Sequence, residues 1–440
     1  MVGTTAVLKI DMDRERSAAR ETGRKIQMRK YRGLAVLLTA AVCLAACGGS
    51  SSGSGSGAAE TSAAESGAAE TSASESSAES MTDKKNIAAK DSEIHIGTVN
   101  PMSGDNALYG LDQQRGLQLA FDEINAAGGV NGADLVLEEY DDQGDPQNAA
   151  KGAQKFADDD DIVAITGSSL TSCTLAMVPI IDDAGLVDTV VSSSSPSLAN
   201  CSDYFFRMAV QDAQVGPQMA KAALKKGHKK FDVLYTNNDF GKNLSDNLIA
   251  YAKENGGEIV NTIEYNPTDQ DFTAILTTVK QDAPEAVALC GTVTDCSLII
   301  KQMKSLGIDT FIICHTSLYS AKALEIAGDA MEGVDCVSVY ISTNPDPKVQ
   351  EFVKKYEDKY GETPDSFAAM AYDQAYVLAA AADYAMQQKD GEVDREGMHD
   401  GMKATNYDGV TGTVTFDENN EWVRDYLTLT VKNGEFTLDE

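Results

Sequence analysis

From residue 93 to residue 341 the chain repeats one alternation: a short run dense in Val, Ile and Leu, then a longer amphipathic stretch. The short runs predict strands at 93–99, 134–140, 161–167 and 186–192, and again at 231–236, 258–265, 285–291, 310–314 and 334–341. Apolar residues at helical spacing predict helices between them, at 111–127, 149–158, 173–184, 214–226, 242–254, 271–281, 295–306 and 319–328. Strands that alternate with helices pair in parallel and bury both faces, because each crossover lays a helix on the sheet. Two such series imply an α/β protein of two lobes, and 440 residues are more than one ordinary core holds. Helices then dominate at 348–360 and 365–387. The chain closes with "TGTVTF" and "DYLTLTV" around the turn composition "DENN".

The segment before this body has a different composition. Arg29, Lys30 and Arg32 precede "GLAVLLTAAVCLAAC", a basic stretch followed by a short apolar run ending in small residues, the pattern of a secretion signal. The run is too short and too rich in Ala for a membrane span. Residues 1–46 are therefore read as a signal peptide, with Met1 and Met28 both open as its start. The run ends in "LAAC", 44–47, which matches the bacterial lipobox and implies that Cys47 is acylated; firm anchoring takes more than one acyl chain. Residues 48–80 contain only Gly, Ser, Ala, Glu and Thr, which cannot build a core, so 47–92 is expected to be a disordered tether. Its low-complexity part spans about 30 Å root-mean-square as a flexible coil. The expected place is outside the cytoplasm, on the outer face of a membrane.

Charge and chemistry narrow the function. A formal net charge of −32 argues against a nucleic-acid partner, because no basic footprint exists to neutralise phosphates. Cys173, Cys201, Cys290, Cys296, Cys314 and Cys336 follow Cys47, and both disulfides and buried free thiols remain open for them. Their spacing suits no zinc site, and neither a metal nor a cofactor is expected. No Gly-x-Ser-x-Gly elbow, phosphate loop or His-Glu-x-x-His is present. Of four histidines only His315 falls at a strand end, with no evident carboxylate to orient it, which makes a poor triad. The chain is not expected to be an enzyme; a hydrolase using one of the serines 192–195 is the competing reading. The acidic run 158–161 reads as a solvated helix end.

Two hydroxyl-rich stretches lie where strands end: "GSSLTS", 167–172, and "VVSSSSPSL", 190–198. In open parallel sheets small ligands bind beyond the carboxyl ends of strands. Thr171 or Ser172 would cap the next helix, and the free N–H groups at a helix N-terminus suit a carboxylate.

Several longer stretches resemble the leucine/isoleucine/valine-binding protein family, the type I solute-binding proteins of ABC importers. They are "IGTVNPMSGDNALYG" at 96–110, "INAAGGVNG" at 124–132, "YDDQGDP" at 140–146, "ITGSSLTS" at 165–172 and "DDAGLVDTVVSSSSPSL" at 182–198. Later echoes are "FRM" at 206–208, "NDFGK" at 238–242, "AMAYDQAY" at 369–376 and "GVTGTVTFDENN" at 409–420. The ordered set covers nearly all of 93–440. The resemblance implies the type I periplasmic-binding-protein fold, two lobes joined by three crossover segments. Lobe one would be 93–211 plus 343–417, and lobe two 212–342 plus 418–440. It implies a monomer that closes on an amino acid, aliphatic or branched-chain by default, and delivers it to a membrane permease; another small carboxylate or amide, or a sensing role, remains open. Carried over, Thr171 holds the α-carboxylate, Ser192 offers backbone groups, and Ser194 meets the charged head. Tyr109 and Phe240 wall the ligand side chain. Three positions depart from the family. Thr316, beside His315, stands where the family has an acid for the ammonium, which leaves Asp239 or carbonyls to meet it. Thr292 stands at an aromatic position, and Gly144 replaces a disulfide-forming Cys.

Overall fold

A computed structural model describes residues 87–88, 93–422 and 424–439. The signal segment, Cys47 and the low-complexity tether lie outside the described residues. Ile87–Ala88, inside the stretch read as tether, pairs antiparallel with Glu392–Val393.

Two sheets carry the architecture. The first is wholly parallel, in the order Asp134–Asp141, Glu93–Asn100, Ile162–Gly167, Val187–Val190, Phe205–Arg207. Its central strand Ile162–Gly167 is buried throughout, as a run apolar on both faces must be. The second sheet runs Glu258–Tyr265, Lys230–Thr236, Ala286–Cys290, Phe311–Cys314 and Asp335–Ser338 in parallel. Leu427–Lys432 and Glu435–Leu438 then add an antiparallel edge. Strand Glu258–Tyr265, at the other edge, alternates exposed and half-buried residues, because only one of its faces meets the core.

Helices Pro347–Tyr360 and Ser366–Gln388 return to the first lobe. Tyr360 Oη donates to Arg115 O at 3.0 Å, and Gln374 Nε2 donates to Thr189 O at 2.8 Å. The Ala-rich helix lies close against Ala107–Ala126: a Cβ on Gly116 would stand 2.2 Å from Ala368 O. Only glycine allows that approach.

The chain passes between lobes three times: after Arg207, after Ser338, and between Val414 and Leu427. The first and third passages are tied together. Arg207 N donates to Asn420 O at 2.9 Å and Trp422 N to Arg207 O at 3.0 Å. The Arg207 guanidinium, 2 % exposed, pairs with Glu421, and Gln211 Nε2 adds a bond to the same carboxylate at 3.0 Å. All six cysteines among the described residues are free thiols, five of them buried. Strands Phe205–Arg207, Tyr407–Gly409 and Glu435–Leu438 were not foreseen; they are three or four residues long, below the length at which periodicity speaks. The closing segments "TGTVTF" and "DYLTLTV" do not pair with each other across "DENN": Gly412–Val414 pairs with Tyr407–Gly409, and Leu427–Lys432 joins the second sheet.

Candidate functional site

A cavity of about 110 Å³ lies between the lobes, at the carboxyl ends of strands from both sheets. Lobe one contributes the turn after Ile162–Gly167 and the serines after Val187–Val190; lobe two contributes 238–240, 267, 292, 315 and 317. Gly167 makes the first turn possible. Its φ is +132°, and a Cβ would stand 1.9 Å from Val99 O, so no side chain fits. The chain then enters helix Thr171–Ala184, whose N-cap is Leu170, not Thr171 or Ser172 as the sequence suggests. Leucine has no oxygen to offer, so no side chain caps this helix. Residues 169–172 all line the cavity. The uncapped N–H groups and the positive end of the helix dipole are therefore available to an anion.

The serine run has a division of labour. Ser192 Oγ donates to Ser169 O at 2.9 Å and accepts from Gln113 Nε2 at 3.1 Å, which fixes two cavity edges against each other. Ser193 is buried, donates to Ser168 O and meets Thr174 Oγ1 at 2.7 Å. Ser195 caps the short 3₁₀ turn Pro196–Leu198 and accepts from Asn243 Nδ2 of lobe two at 2.8 Å. Ser194 Oγ alone of the four has no hydrogen-bond partner, although the residue is 1 % exposed and lines the cavity.

His315 Nε2 and both Asp212 oxygens are likewise buried and unpartnered. His315 Nδ1 accepts from Ser317 N at 3.1 Å, which leaves the proton of the neutral ring on Nε2. Burial lowers the His315 pKa to about 3. Nε2 faces Asp212 Oδ1 across 4.0 Å. Burial raises the Asp212 pKa to about 7, opposed by the Ser194 hydroxyl and Arg207. This is not a triad: a hydrolase histidine holds its acid with one nitrogen and its nucleophile with the other, and here Nδ1 is spent on a backbone N–H.

Of the residues singled out from the sequence, Tyr109, Thr171, Ser192, Ser194, Asp239, Phe240, Thr292 and His315 line this cavity. Thr316 does not: it is wholly buried behind the wall, inside the 3₁₀ turn Thr316–Leu318 that His315 caps. Tyr109 packs edge-on against Phe367, with centroids 5.3 Å apart, and its hydroxyl accepts from Val293 N at 2.9 Å, joining the lobes. Asn106, Asn238, Pro267, Ser317 and Phe367 also line the cavity and were missed. Asn238 carries a signal, since an Asn before a helix is a natural N-cap, and it accepts from Gly241 N at 2.9 Å. Phe367 carries none; a helix far along the chain brings it there. Among the described residues no group of His, Cys, Asp or Glu is placed to hold a metal.

Comparison with known proteins bears on this geometry. A model of the periplasmic binding protein family matches residues 93–435. The chain belongs to that family. The leucine-, isoleucine-, valine-, threonine- and alanine-binding protein of Pseudomonas aeruginosa is 27% identical over 349 residues, 79% of this chain and 89% of that protein. The leucine-binding protein LivK of Thermotoga maritima is 27% identical with a TM-score of 0.73, covering 79% of this chain and 98% of its own. The branched-chain amino acid transporter substrate-binding protein LivJ of Streptococcus pneumoniae, solved with isoleucine, is 29% identical with a TM-score of 0.73, covering 78% and 97%. The fold is the two-lobed type I form of this family, a class that binds and does not catalyse.

Proposed function

We propose that this protein is the extracytoplasmic substrate-binding lipoprotein of an ABC importer, which closes its lobes on an aliphatic amino acid and passes it to a membrane permease. The observation that carries the reading is the uncapped N-terminus of helix Thr171–Ala184 opening on a cavity beside the unspent hydroxyl of Ser194. A carboxylate docks on the N–H groups of 171–172 and on the Thr171 hydroxyl, with Ser192 offering backbone groups. Tyr109, Phe240 and Phe367 enclose an apolar side chain, and Thr292 and His315 complete the wall. Asp239, the one acid on the wall, is exposed and meets an incoming ammonium at the mouth. Three or four charge-assisted bonds of about 1.5–3 kcal/mol each suffice for micromolar affinity. In this reading residues 1–46 direct export and Cys47 carries the lipid. Residues 47–92 tether a monomeric body of lobes 93–211 plus 343–417 and 212–342 plus 418–440.

The test is a thermal-shift screen of the purified protein against the twenty amino acids and a set of small carboxylates and amides. A ligand of the folded state alone raises the melting temperature by mass action. A shift with aliphatic amino acids supports the reading. A shift only with amine-free acids or amides replaces the ligand class and keeps the clamp. No shift with any of them overturns it.

A further inference from the structure

Lobe two packs four thiols into its core, and the cleft uses none of them. Cys290, Cys296, Cys314 and Cys336 are all buried. Cys290 ends strand Ala286–Cys290 and Cys314 ends Phe311–Cys314. Cys336 lies in Asp335–Ser338, and Cys296 sits in the first turn of helix Val293–Ser305.

Strand register decides which of them can meet. Cys314 is the Cα partner of both Leu289 and Cys336, so these three side chains share one face of the sheet and Cys290 points to the other. Cys314 and Cys336 stand parallel on neighbouring strands, about 4.8 Å apart. A disulfide needs Cβ atoms about 3.5–4.5 Å apart, so that pair is too wide. Cys296 reaches the strand ends from the helix. Its Sγ lies 3.0 Å from where a Cβ on Gly291 would stand, and its thiol is in hydrogen-bond contact with that of Cys314. The cluster is not placed to hold a metal, which leaves thiol–thiol chemistry.

We propose that Cys296 and Cys314 are an oxidisable pair that closes to a disulfide as the exported chain folds. The proposal rests on the reading that the body lies outside the cytoplasm, where disulfides persist. The oxidant is itself a disulfide: a thiol–disulfide oxidoreductase in the cell, oxidised glutathione in vitro. One cysteine thiolate attacks it to give a mixed disulfide, and the other displaces the oxidant's second sulfur. Two S–H bonds break and one S–S bond forms. Two protons pass to solvent, and two electrons reduce the oxidant to a pair of thiols. Burial raises the pKa of both cysteines, so thiolate is scarce once lobe two has packed, and closure belongs to the folding chain. The bond ties the start of helix Val293–Ser305 to the end of Phe311–Cys314, the two segments that carry Thr292 and His315 into the cleft.

The test is peptide mapping without reductant, after alkylation in denaturant. It is run on the full-length protein recovered from the cells that express it and on the same protein refolded with oxidised and reduced glutathione. Both should give a peptide joining Cys296 to Cys314. Dithiothreitol should lower the melting temperature by several degrees, because the bond constrains the unfolded chain. The double variant Cys296→Ala, Cys314→Ala should melt at one temperature with or without dithiothreitol. Refolded protein in which both thiols are alkylated, or in which Cys314 is joined to Cys336, overturns the proposal whether or not the variant folds. Protease added to intact cells reads the location separately. If the body is protected inside, the extracytoplasmic reading and this proposal fall together. If it is outside and both thiols are alkylated, only this proposal falls.

Discussion

Four consecutive serines have four different fates, and the difference is geometric. Ser192, Ser193 and Ser195 spend their hydroxyls on Ser169, Ser168 and the 3₁₀ turn, while Ser194 keeps its own. Ser194→Ala therefore removes only the hydroxyl's loose interaction with the Asp212 carboxyl. Calorimetry should show amino-acid affinity reduced by about 1–3 kcal/mol with the melting temperature of the empty protein unchanged. Thr171→Ala should behave in the same way, because Thr171 lines the cavity and the helix cap is Leu170. Tyr109→Phe is a different case. It keeps the ring against Phe367 and leaves Val293 N–H without its acceptor when the lobes meet. Affinity should drop by a similar amount, and the loss should appear as faster ligand release in stopped-flow measurements, since an interlobe contact holds the closed form.

At the scale of elements, the site is made by helix starts. Helices Thr171–Ala184, Asp239–Glu254 and Val293–Ser305 all begin at the cavity, because each follows a parallel strand of a sheet whose carboxyl end faces it. Only Asp239–Glu254 has a side-chain cap, from Asn238. The crossovers carry the opposite economy: Arg207 and Glu421 satisfy each other in the interior, where a lone charge is expensive. Glu421→Ala should cost about 3–5 kcal/mol in urea denaturation, because the Arg207 guanidinium stays buried without its partner. Glu421→Gln, which keeps the shape and part of the bonding, should cost less.

The whole molecule carries an acidic charge that reaches inside. Asp212, Asp295 and Asp373 are wholly buried, and burial raises their pKa values to about 7, 6 and 6. An unfolded Asp titrates near about 3.9. Between these values the folded chain binds more protons than the unfolded one, so stability falls as pH rises. The cost is complete above about pH 7. His315 acts in the other sense, but only below its unfolded value of about 6.5. Scanning calorimetry of the empty protein should therefore show a higher melting temperature at pH 6.5 than at pH 8. Asp295 and Asp373 already accept hydrogen bonds from Tyr265, Thr292, Val410 and Thr411, so an unchanged or lower value would mean that such bonds outweigh burial.

The lobes, their parallel sheets and most helices are legible in the sequence, since periodicity is a local signal and buried parallel strands advertise themselves as continuous apolar runs. "GSSLTS" and the serine run mark the cleft because polar residues at the ends of such strands have nowhere else to be. Composition and periodicity do not say which hydroxyl stays free; only the family resemblance assigned backbone groups to Ser192 and the hydroxyl to Ser194. In the fold the two identical letters differ by whether Gln113 and Ser169 from other elements come within reach. The same holds for Thr316, whose sequence position suggests a ligand contact and whose 3₁₀ turn hides it. Asp212 shows the limit best. Its letter says only that a helix begins; that it is wholly buried, facing His315 from a hundred residues downstream, is decided by folding. Sequence fixes what each segment can become; the burial of one polar group beside another is decided when the lobes assemble, because desolvation depends on every neighbour at once.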